Sequence, residues 1–109
     1  MTVYLDNSAT TAVCRAAAEK AMHMMTVCFG NPSSLHTAGI EAERELTAAR
    51  QSVAKLCGAA PDNILFTSGG TEANNLAILG SVAARQRLGR HVVTTAMEHA
   101  SVSAAFEQL

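Results

Sequence analysis

Apolar residues recur every three or four positions along residues 40–57, which is the spacing of one face of an α-helix. The repeating positions are Ala42, Leu46, Ala49, Val53 and Leu56. Charged side chains occupy the other face, so the pattern predicts an amphipathic helix whose apolar face is buried. Gly58 follows directly and is the residue type that most often ends a helix.

Three further segments have helical patterns. Alanine-rich sequence predicts a helix over residues 13–27. A second helix is predicted over residues 71–88, with Leu76, Leu79 and Val82 on its inner face. A last helix is expected from residue 100 onward.

Short apolar runs at residues 64–66 and 91–95 predict strands, and residues 3–5 are expected to be extended. The order strand, helix, strand, helix predicts parallel strands joined by a right-handed crossover, the repeating unit of an α/β sheet. Two strands are too few to close the core of a parallel sheet. The fold is therefore expected to need further sequence.

The segment over residues 64–76, ILFTSGGTEANNL, places a paired-glycine turn between a strand and a helix start. Backbone N–H groups and the positive end of the helix dipole then point at one place, which favours binding of a phosphate. Gly69 and Gly70 are expected to turn with positive φ, and Thr71 adds a hydroxyl donor. The glycine patterns typical of ATP and NAD sites are not met. The alternative is a plain glycine turn with Thr71 as the helix N-cap.

Composition excludes several classes of partner. The chain has 109 residues and a formal net charge of -1, so binding to nucleic acid or to an anionic membrane is not expected. Hydrophobic residues make up 49%, but aromatic residues only 4%, which predicts a thin core. No apolar run is long enough for a membrane span, and the N-terminal segment is unlike a secretory signal, so a cytoplasmic location is expected. The three cysteines lack metal-ligand spacing; they are expected to be reduced and buried, and no metal site is predicted.

Four polar motifs occur in order along the chain. They are DNSATT at residues 6–11, FGNPSS at 29–34, FTSGGTEANNL at 66–76 and EH at 98–99. Together they resemble the N-terminal part of the cysteine desulfurases, which belong to the class V branch of the fold-type I enzymes that use pyridoxal 5′-phosphate. The resemblance covers essentially the whole chain. It implies the N-terminal part of a fold-type I large domain, with helices plus the first parallel strands, and residues 1–109 as an incomplete segment of that domain.

The resemblance implies roles for three residues at the cofactor. Gly70 and Thr71 match the positions that hold the cofactor phosphate, in agreement with the cradle expected from the glycine turn. His99 matches the histidine that stacks on the pyridine ring and is implicated in proton transfer. The alternative for His99 is an ordinary histidine at a helix start that makes one hydrogen bond.

Two loops match parts of the family that approach the substrate. Asn7, Ala9 and Thr10 match a loop along the substrate side of the pocket; the alternative is a loop that caps the first helix. Asn31 and His36 match a loop near the active site and the partner subunit. A solvated loop histidine is the alternative for His36.

The resemblance also shows what the sequence lacks. Lys20 and Lys55 lie in ordinary helix-surface contexts, and neither lies in the family's lysine motif. The Schiff-base lysine, the aspartate that pairs with the pyridine nitrogen and the persulfide cysteine are all expected downstream of Leu109. The 109 residues alone are therefore expected to be inactive.

The resemblance implies a homodimeric enzyme that converts L-cysteine to L-alanine. The sulfur would pass as an enzyme persulfide to an acceptor or scaffold protein for iron-sulfur cluster or thio-cofactor assembly. One alternative is another class V enzyme, such as a selenocysteine lyase or an aminotransferase. A second alternative is a truncated binding module without catalysis.

Overall fold

A computed structural model describes residues 3–109, and the chain divides into two compact units, Met1–Ile64 and Leu65–Leu109. The first unit contains helices α1 (Arg15–Thr26) and α2 (Thr37–Cys57) and a short 3₁₀ turn (Pro61–Asn63); the second contains α3 (Gly70–Arg85) and α4 (Ala100–Phe106). All four predicted helices are confirmed, with ends shifted by a few residues.

The predicted strands are not confirmed. No strand is present anywhere in residues 3–109, so residues 64–66 and 91–95 do not form the expected parallel pair. Ile64 has an extended backbone, with φ -99° and ψ 120°. An extended segment becomes a strand only when a neighbouring backbone completes its hydrogen-bond ladder, and these segments lack that ladder.

The C-terminal end of α2 is the glycine stop expected from the sequence. Gly58 has φ 64° and ψ 30°, the left-handed conformation that residues with a Cβ adopt at a cost. The N–H of Ala59 donates to the carbonyl of Ala54 at 2.9 Å, which satisfies a carbonyl left open at the helix end.

The core is thin, as the composition predicted. Ala42 and Ala54 are buried on α2, but Leu56, assigned to the inner face, is 88% exposed. Leu46 and Ala49 are also exposed, so the expected burial of this stripe is only partly observed. No large side chain is fully buried among the residues that the structure describes. The apolar stripe has too little neighbouring surface to cover it.

Two glycines permit a tight approach between the loop before α2 and the start of that helix. A Cβ on Gly30 would lie 2.1 Å from the carbonyl oxygen of Ala38, and one on Gly39 would lie 2.2 Å from that of Ser34. Both distances are far inside van der Waals contact. These positions therefore need glycine for packing, although neither has a positive φ.

An ion pair joins α1 to α2. The ammonium of Lys20 donates to a carboxylate oxygen of Glu45 at 2.6 Å. The hydrogen bond and the charge of Lys20 lower the pKa of Glu45, and the charge of His23 adds to the effect. Lys20 thus has a structural partner on the helix surface, as its sequence context indicated.

The three cysteines are free thiols. Cys14 and Cys57 are exposed and Cys28 is half-buried, so the expectation of buried cysteines is wrong. Within residues 3–109, no set of His, Cys, Asp and Glu side chains is arranged to hold a metal ion. None of the helices in the same range is both long and apolar enough to cross a bilayer.

Candidate cofactor site

The turn before α3 differs from the one predicted. Gly69 is the N-cap, with an extended backbone at φ 169° and ψ -179°, and no side chain caps the helix. Thr71 lies in the first turn of α3, so its assignment as the N-cap is wrong. The expected positive φ at Gly69 and Gly70 is also absent, because the positive-φ glycines of the described chain are Gly58 and Gly89.

Glu72, in the first turn of α3, hydrogen-bonds back to the turn that precedes the helix. Its Oε2 accepts hydrogen bonds from the backbone N–H and from the hydroxyl of Ser68, each at 2.6 Å. The hydroxyl has the larger effect in lowering the pKa of Glu72, and the N–H adds to it. The carboxylate therefore fixes the turn and uses the N–H of Ser68.

The next donors along the chain have no such partner. Within residues 3–109, the backbone N–H groups of Gly70 and Thr71 and the Thr71 hydroxyl make no hydrogen bond. Both residues are exposed, and a Cβ built on Gly69 or Gly70 meets no atom within 4 Å. Open donors at the positive end of a helix suit the oxygens of a phosphate, so the residues present fit the phosphate of the predicted cofactor.

His99 is the N-cap of α4. Its Nδ1 accepts a hydrogen bond from the backbone N–H of Ser101 at 3.1 Å and lies 2.9 Å from the Ser101 hydroxyl oxygen. The alternative of a histidine at a helix start that hydrogen-bonds locally thus describes its contacts correctly. The ring is exposed, so these contacts leave it accessible to a ligand.

The starts of α3 and α4 are joined by a side-chain hydrogen bond. Asn74, one turn into α3, donates from Nδ2 to the hydroxyl oxygen of Ser101 at 2.9 Å. His99, Gly70 and Thr71 thus belong to one unit in which the two helices pack together. The sequence did not single out Ser101; the only signal was a small polar residue two positions after a histidine, on the inner side of a helix start.

The loop with Asn7, Ala9 and Thr10 lies in the first unit. The N–H groups of Ala9 and Thr10 both donate to the carbonyl of Asp6, at 3.1 and 3.3 Å, which makes a tight turn. The N-cap of α1 is Cys14, so the alternative in which this loop caps the first helix is wrong. The substrate-side role of the loop stays a prediction.

The loop with Asn31 and His36 also lies in the first unit. The side chain of Asn31 accepts from the N–H of Ser33 at 2.9 Å, and its carbonyl accepts from the N–H of Ser34 at 2.9 Å. His36 is the N-cap of α2 and accepts from the N–H of Gly39 through Nδ1 at 3.3 Å. His36 is exposed, in agreement with the solvated alternative, and its approach to an active site stays a prediction.

A cavity of about 350 Å³ lies at the other end of α3 from the glycine turn. It is lined by residues of the last turns of α3 and of the segment that follows, including Ser81, Arg85, Gly89 and Val92. α3 has 16 residues, which separates its two ends by roughly 24 Å. The cavity therefore does not belong to the candidate cofactor site.

The chain belongs to the aminotransferase class-V family, whose model matches residues 3–109. Its fold is similar to that of a solved NifS-like protein, with a TM-score of 0.89 and 36% sequence identity over 99% of this chain and 30% of the other. The expected family and the fold-type I class are thus confirmed. Enzymes of this family are dependent on pyridoxal phosphate, which confirms the expected cofactor at the level of the family.

Within the aminotransferase class-V family, the chain is similar to proteins named as NifS homologs and cysteine desulfurases. The chain is 48% identical over 107 residues to a NifS/IcsS protein homolog from Lactobacillus delbrueckii subsp. bulgaricus, covering 98% of this chain and 28% of the relative. It is 46% identical over 110 residues to the cysteine desulfurase IscS of Pectobacterium atrosepticum, covering 98% of this chain and 27% of the relative. The chain thus spans a little over a quarter of the length of these relatives.

Proposed function

We propose that residues 1–109 are the N-terminal part of a cysteine desulfurase and supply the phosphate-binding and ring-contacting groups of its pyridoxal phosphate site. One observation carries the proposal: the open amide and hydroxyl donors of Gly70 and Thr71 lie in the same compact unit as the exposed ring of His99. Similarity to proteins named as cysteine desulfurases favours this activity over others of the class.

Each of the three residues has a distinct task. The N–H groups of Gly70 and Thr71 and the Thr71 hydroxyl would donate to phosphate oxygens, and the dipole of α3 would favour the negative charge. His99 would contact the cofactor ring and would hold or release a proton at an imidazole nitrogen. The cofactor, when bound, supplies the electron sink that makes bonds at the substrate α-carbon and β-carbon labile.

The loops of the first unit are proposed to face the substrate. Asn7, Ala9 and Thr10 lie in a hydrogen-bonded turn that holds their backbone in one conformation. Asn31 and His36 are likewise held in a loop by hydrogen bonds. Fixed loops of this kind suit the positioning of a small amino acid.

The complete reaction takes the sulfur of L-cysteine onto an enzyme thiol. The C–S bond of the substrate breaks, an S–S bond forms on the enzyme, and L-alanine leaves, so L-cysteine plus a thiol gives L-alanine plus a persulfide. The lysine that holds the cofactor and the sulfur-accepting cysteine are proposed to be outside residues 1–109. In the complete enzyme, residues 64–66 and 91–95 are strands of a parallel sheet.

The complete enzyme is proposed to act as a cytoplasmic homodimer. Its persulfide passes to an acceptor or scaffold protein for iron-sulfur cluster or thio-cofactor assembly. Many large apolar side chains are exposed, including Leu35 at 95% and Leu56 at 88%. Apolar surface of this kind favours packing against further protein structure.

A binding experiment on the 109-residue chain tests the phosphate site. Titration with pyridoxal phosphate and with pyridoxal, followed by calorimetry, should show saturable binding that depends on the phosphate. Gly70→Pro removes one N–H at the first helical position, where proline is tolerated, while Gly70→Ala keeps it. Gly70→Pro and Thr71→Val should each weaken binding by roughly 10- to 100-fold, the usual loss for a hydrogen bond to a charged group. Equal affinity of Gly70→Pro, Gly70→Ala and the unchanged chain would overturn the proposed site.

A second experiment separates the alternatives. Sequencing the gene past the codon for Leu109 should show an open frame that continues into a lysine motif and a cysteine loop. The encoded enzyme should release L-alanine from L-cysteine in equal amount to the persulfide formed. Preference for selenocysteine, or transfer of the amino group, would favour another class V enzyme, and a stop codon at this point would favour the binding module.

A further inference from the structure

Ser101 is the buried polar residue of the described chain, with 8% of its surface exposed. A hydroxyl that leaves water needs hydrogen-bond partners, and this one has two, Asn74 from α3 and His99 from its own helix start. The three side chains therefore form a continuous chain of hydrogen bonds that ends on the imidazole of the proposed catalytic residue.

The direction of these hydrogen bonds follows from their chemistry. The Nδ2 amide of Asn74 can only donate, so the hydroxyl oxygen of Ser101 accepts at that side. The backbone N–H of Ser101 donates to Nδ1 of His99 at 3.1 Å, so Nδ1 is an acceptor. The Ser101 hydroxyl, 2.9 Å from the same nitrogen, is therefore the donor in that hydrogen bond. Nδ1 is thus an acceptor for two donors, and in a neutral ring the proton is on Nε2.

We propose that Asn74 and Ser101 are positioning residues that hold the neutral imidazole of His99 in the tautomer protonated on Nε2. The consequence for the reaction rests on the proposed function: Nε2 is the nitrogen that presents a proton to the cofactor and substrate.

A cap alone does not require this arrangement. A side-chain cap needs only one acceptor for the N–H of Ser101, and His99 already supplies it. The hydroxyl of Ser101 and the amide of Asn74 add a second donor to the same ring nitrogen and connect it to a different helix. A histidine fixed in one tautomer and one orientation is what proton transfer at a defined atom needs.

The test exchanges a donor for an acceptor at almost constant shape. In Asn74→Asp the carboxylate accepts the Ser101 hydroxyl hydrogen, so a lone pair of the serine oxygen faces Nδ1 instead. The matched control is Asn75→Asp, which makes the same change one position along, where the side chain bonds only to the carbonyl of Thr71. Ring 15N spectra of the histidines, recorded in alkaline solution, distinguish the protonated from the unprotonated nitrogen.

In the unchanged chain and in Asn75→Asp, His99 should be protonated on Nε2 alone. Asn74→Asp should shift the tautomer ratio toward Nδ1 by about fivefold, the effect of one ordinary hydrogen bond. Ser101→Ala keeps the backbone donor, so a smaller shift in the same direction is expected, and this variant decides the question if Asn74→Asp fails to fold. Protonation on Nδ1 in the unchanged chain, or identical spectra in all variants, would overturn the proposal.

The readout needs no cofactor, which separates this inference from the proposed function. A fixed Nε2 tautomer in a chain that does not bind pyridoxal phosphate contradicts the proposed function and leaves the positioning roles intact. Binding that depends on Thr71, together with a mixed tautomer at His99, contradicts the positioning roles alone.

Discussion

Glu72 accepts two hydrogen bonds from one residue, Ser68, through the same carboxylate oxygen and at the same distance of 2.6 Å. One donor is the backbone N–H and the other is the hydroxyl. Because Ser68 precedes the N-cap, this contact uses a donor of the turn and leaves those of Gly70 and Thr71 open to a ligand. In the proposed function, this pairing determines which amide groups are available to a phosphate.

Glu72→Gln should destabilise the chain at neutral pH and not in acid. The hydrogen bonds lower the pKa of Glu72 in the folded state, so its stabilisation is present above the ordinary glutamate pKa and is lost as the pH falls through the lowered value. Urea unfolding at neutral and at acidic pH measures the difference in the free energy of unfolding between Glu72→Gln and the unchanged chain. Glu107→Gln is the control, because that carboxylate has no hydrogen-bond partner in the described residues. This substitution should leave the free energy of unfolding unchanged at neutral and at acidic pH. Equal stability of Glu72→Gln and the unchanged chain at neutral pH would contradict the prediction.

Lys20→Met should raise the pKa of Glu45 toward its ordinary value. The ammonium of Lys20 is the main cause of the lowered pKa, through its hydrogen bond and its charge. Carboxyl NMR shifts followed against pH measure the change in the pKa of Glu45. Added salt should make the difference between the variant and the unchanged chain smaller, because both groups are accessible to solvent. The pair stabilises the fold above the ordinary glutamate pKa, and this contribution disappears as the pH falls. Arg15→Met, which removes the partner of Glu19, should leave the titration of Glu45 unchanged.

Gly30→Ala should destabilise the chain by about 1 to 3 kcal/mol, as overpacking does, because the new methyl group would lie 2.1 Å from a backbone carbonyl oxygen. Gly80→Ala is the matched control. Gly80 lies inside α3 with no atom within 4 Å of a built Cβ, so alanine should stabilise the helix by up to about 1 kcal/mol. Thermal unfolding followed by circular dichroism measures both. A Gly30→Ala chain as stable as its parent would show that the loop can move away.

Neither lysine should hold pyridoxal phosphate covalently. Lys20 is paired with Glu45, and Lys55 lies in the last turn of α2, at the opposite end of that helix from His36. Mixing the chain with the cofactor should give no stoichiometric visible band of a lysine-bound form. A strong band that disappears in Lys20→Met or Lys55→Met would overturn this expectation.

The helices were predictable because their signals are local. The three- and four-residue spacing of Ala42 and its successors determines α2, and Gly58 ends it through its left-handed backbone. Strands depend on partners elsewhere in the sequence. The apolar runs at residues 64–66 and 91–95 therefore identify segments suited to a sheet without supplying the ladder. The prediction that Leu56 is buried was wrong for the same reason, because its burial needs a surface that lies outside its helix.

The two helix starts of the candidate site were predictable from local signals, and the cofactor roles assigned there stay predictions. The glycine turn, Thr71 and His99 are positions whose residue types suggest phosphate and ring contacts, and the helix starts lie at or next to them. The side-chain network was not predictable. The contact of Asn74 with Ser101 depends on how α3 packs on α4. The hydrogen bonds of Glu72 to Ser68 cross the N-cap Gly69, and the sequence pattern did not indicate them.

The hydrogen bond from Asn74 to Ser101 spans only 27 positions of the chain. The entropy lost in closing a loop grows with the logarithm of its length, so a link this short forms at a small cost. Contacts between nearby parts of a chain also form faster than contacts between distant ones. We therefore expect the two helix starts, which hold the proposed cofactor contacts, to meet before any pairing that requires more distant sequence.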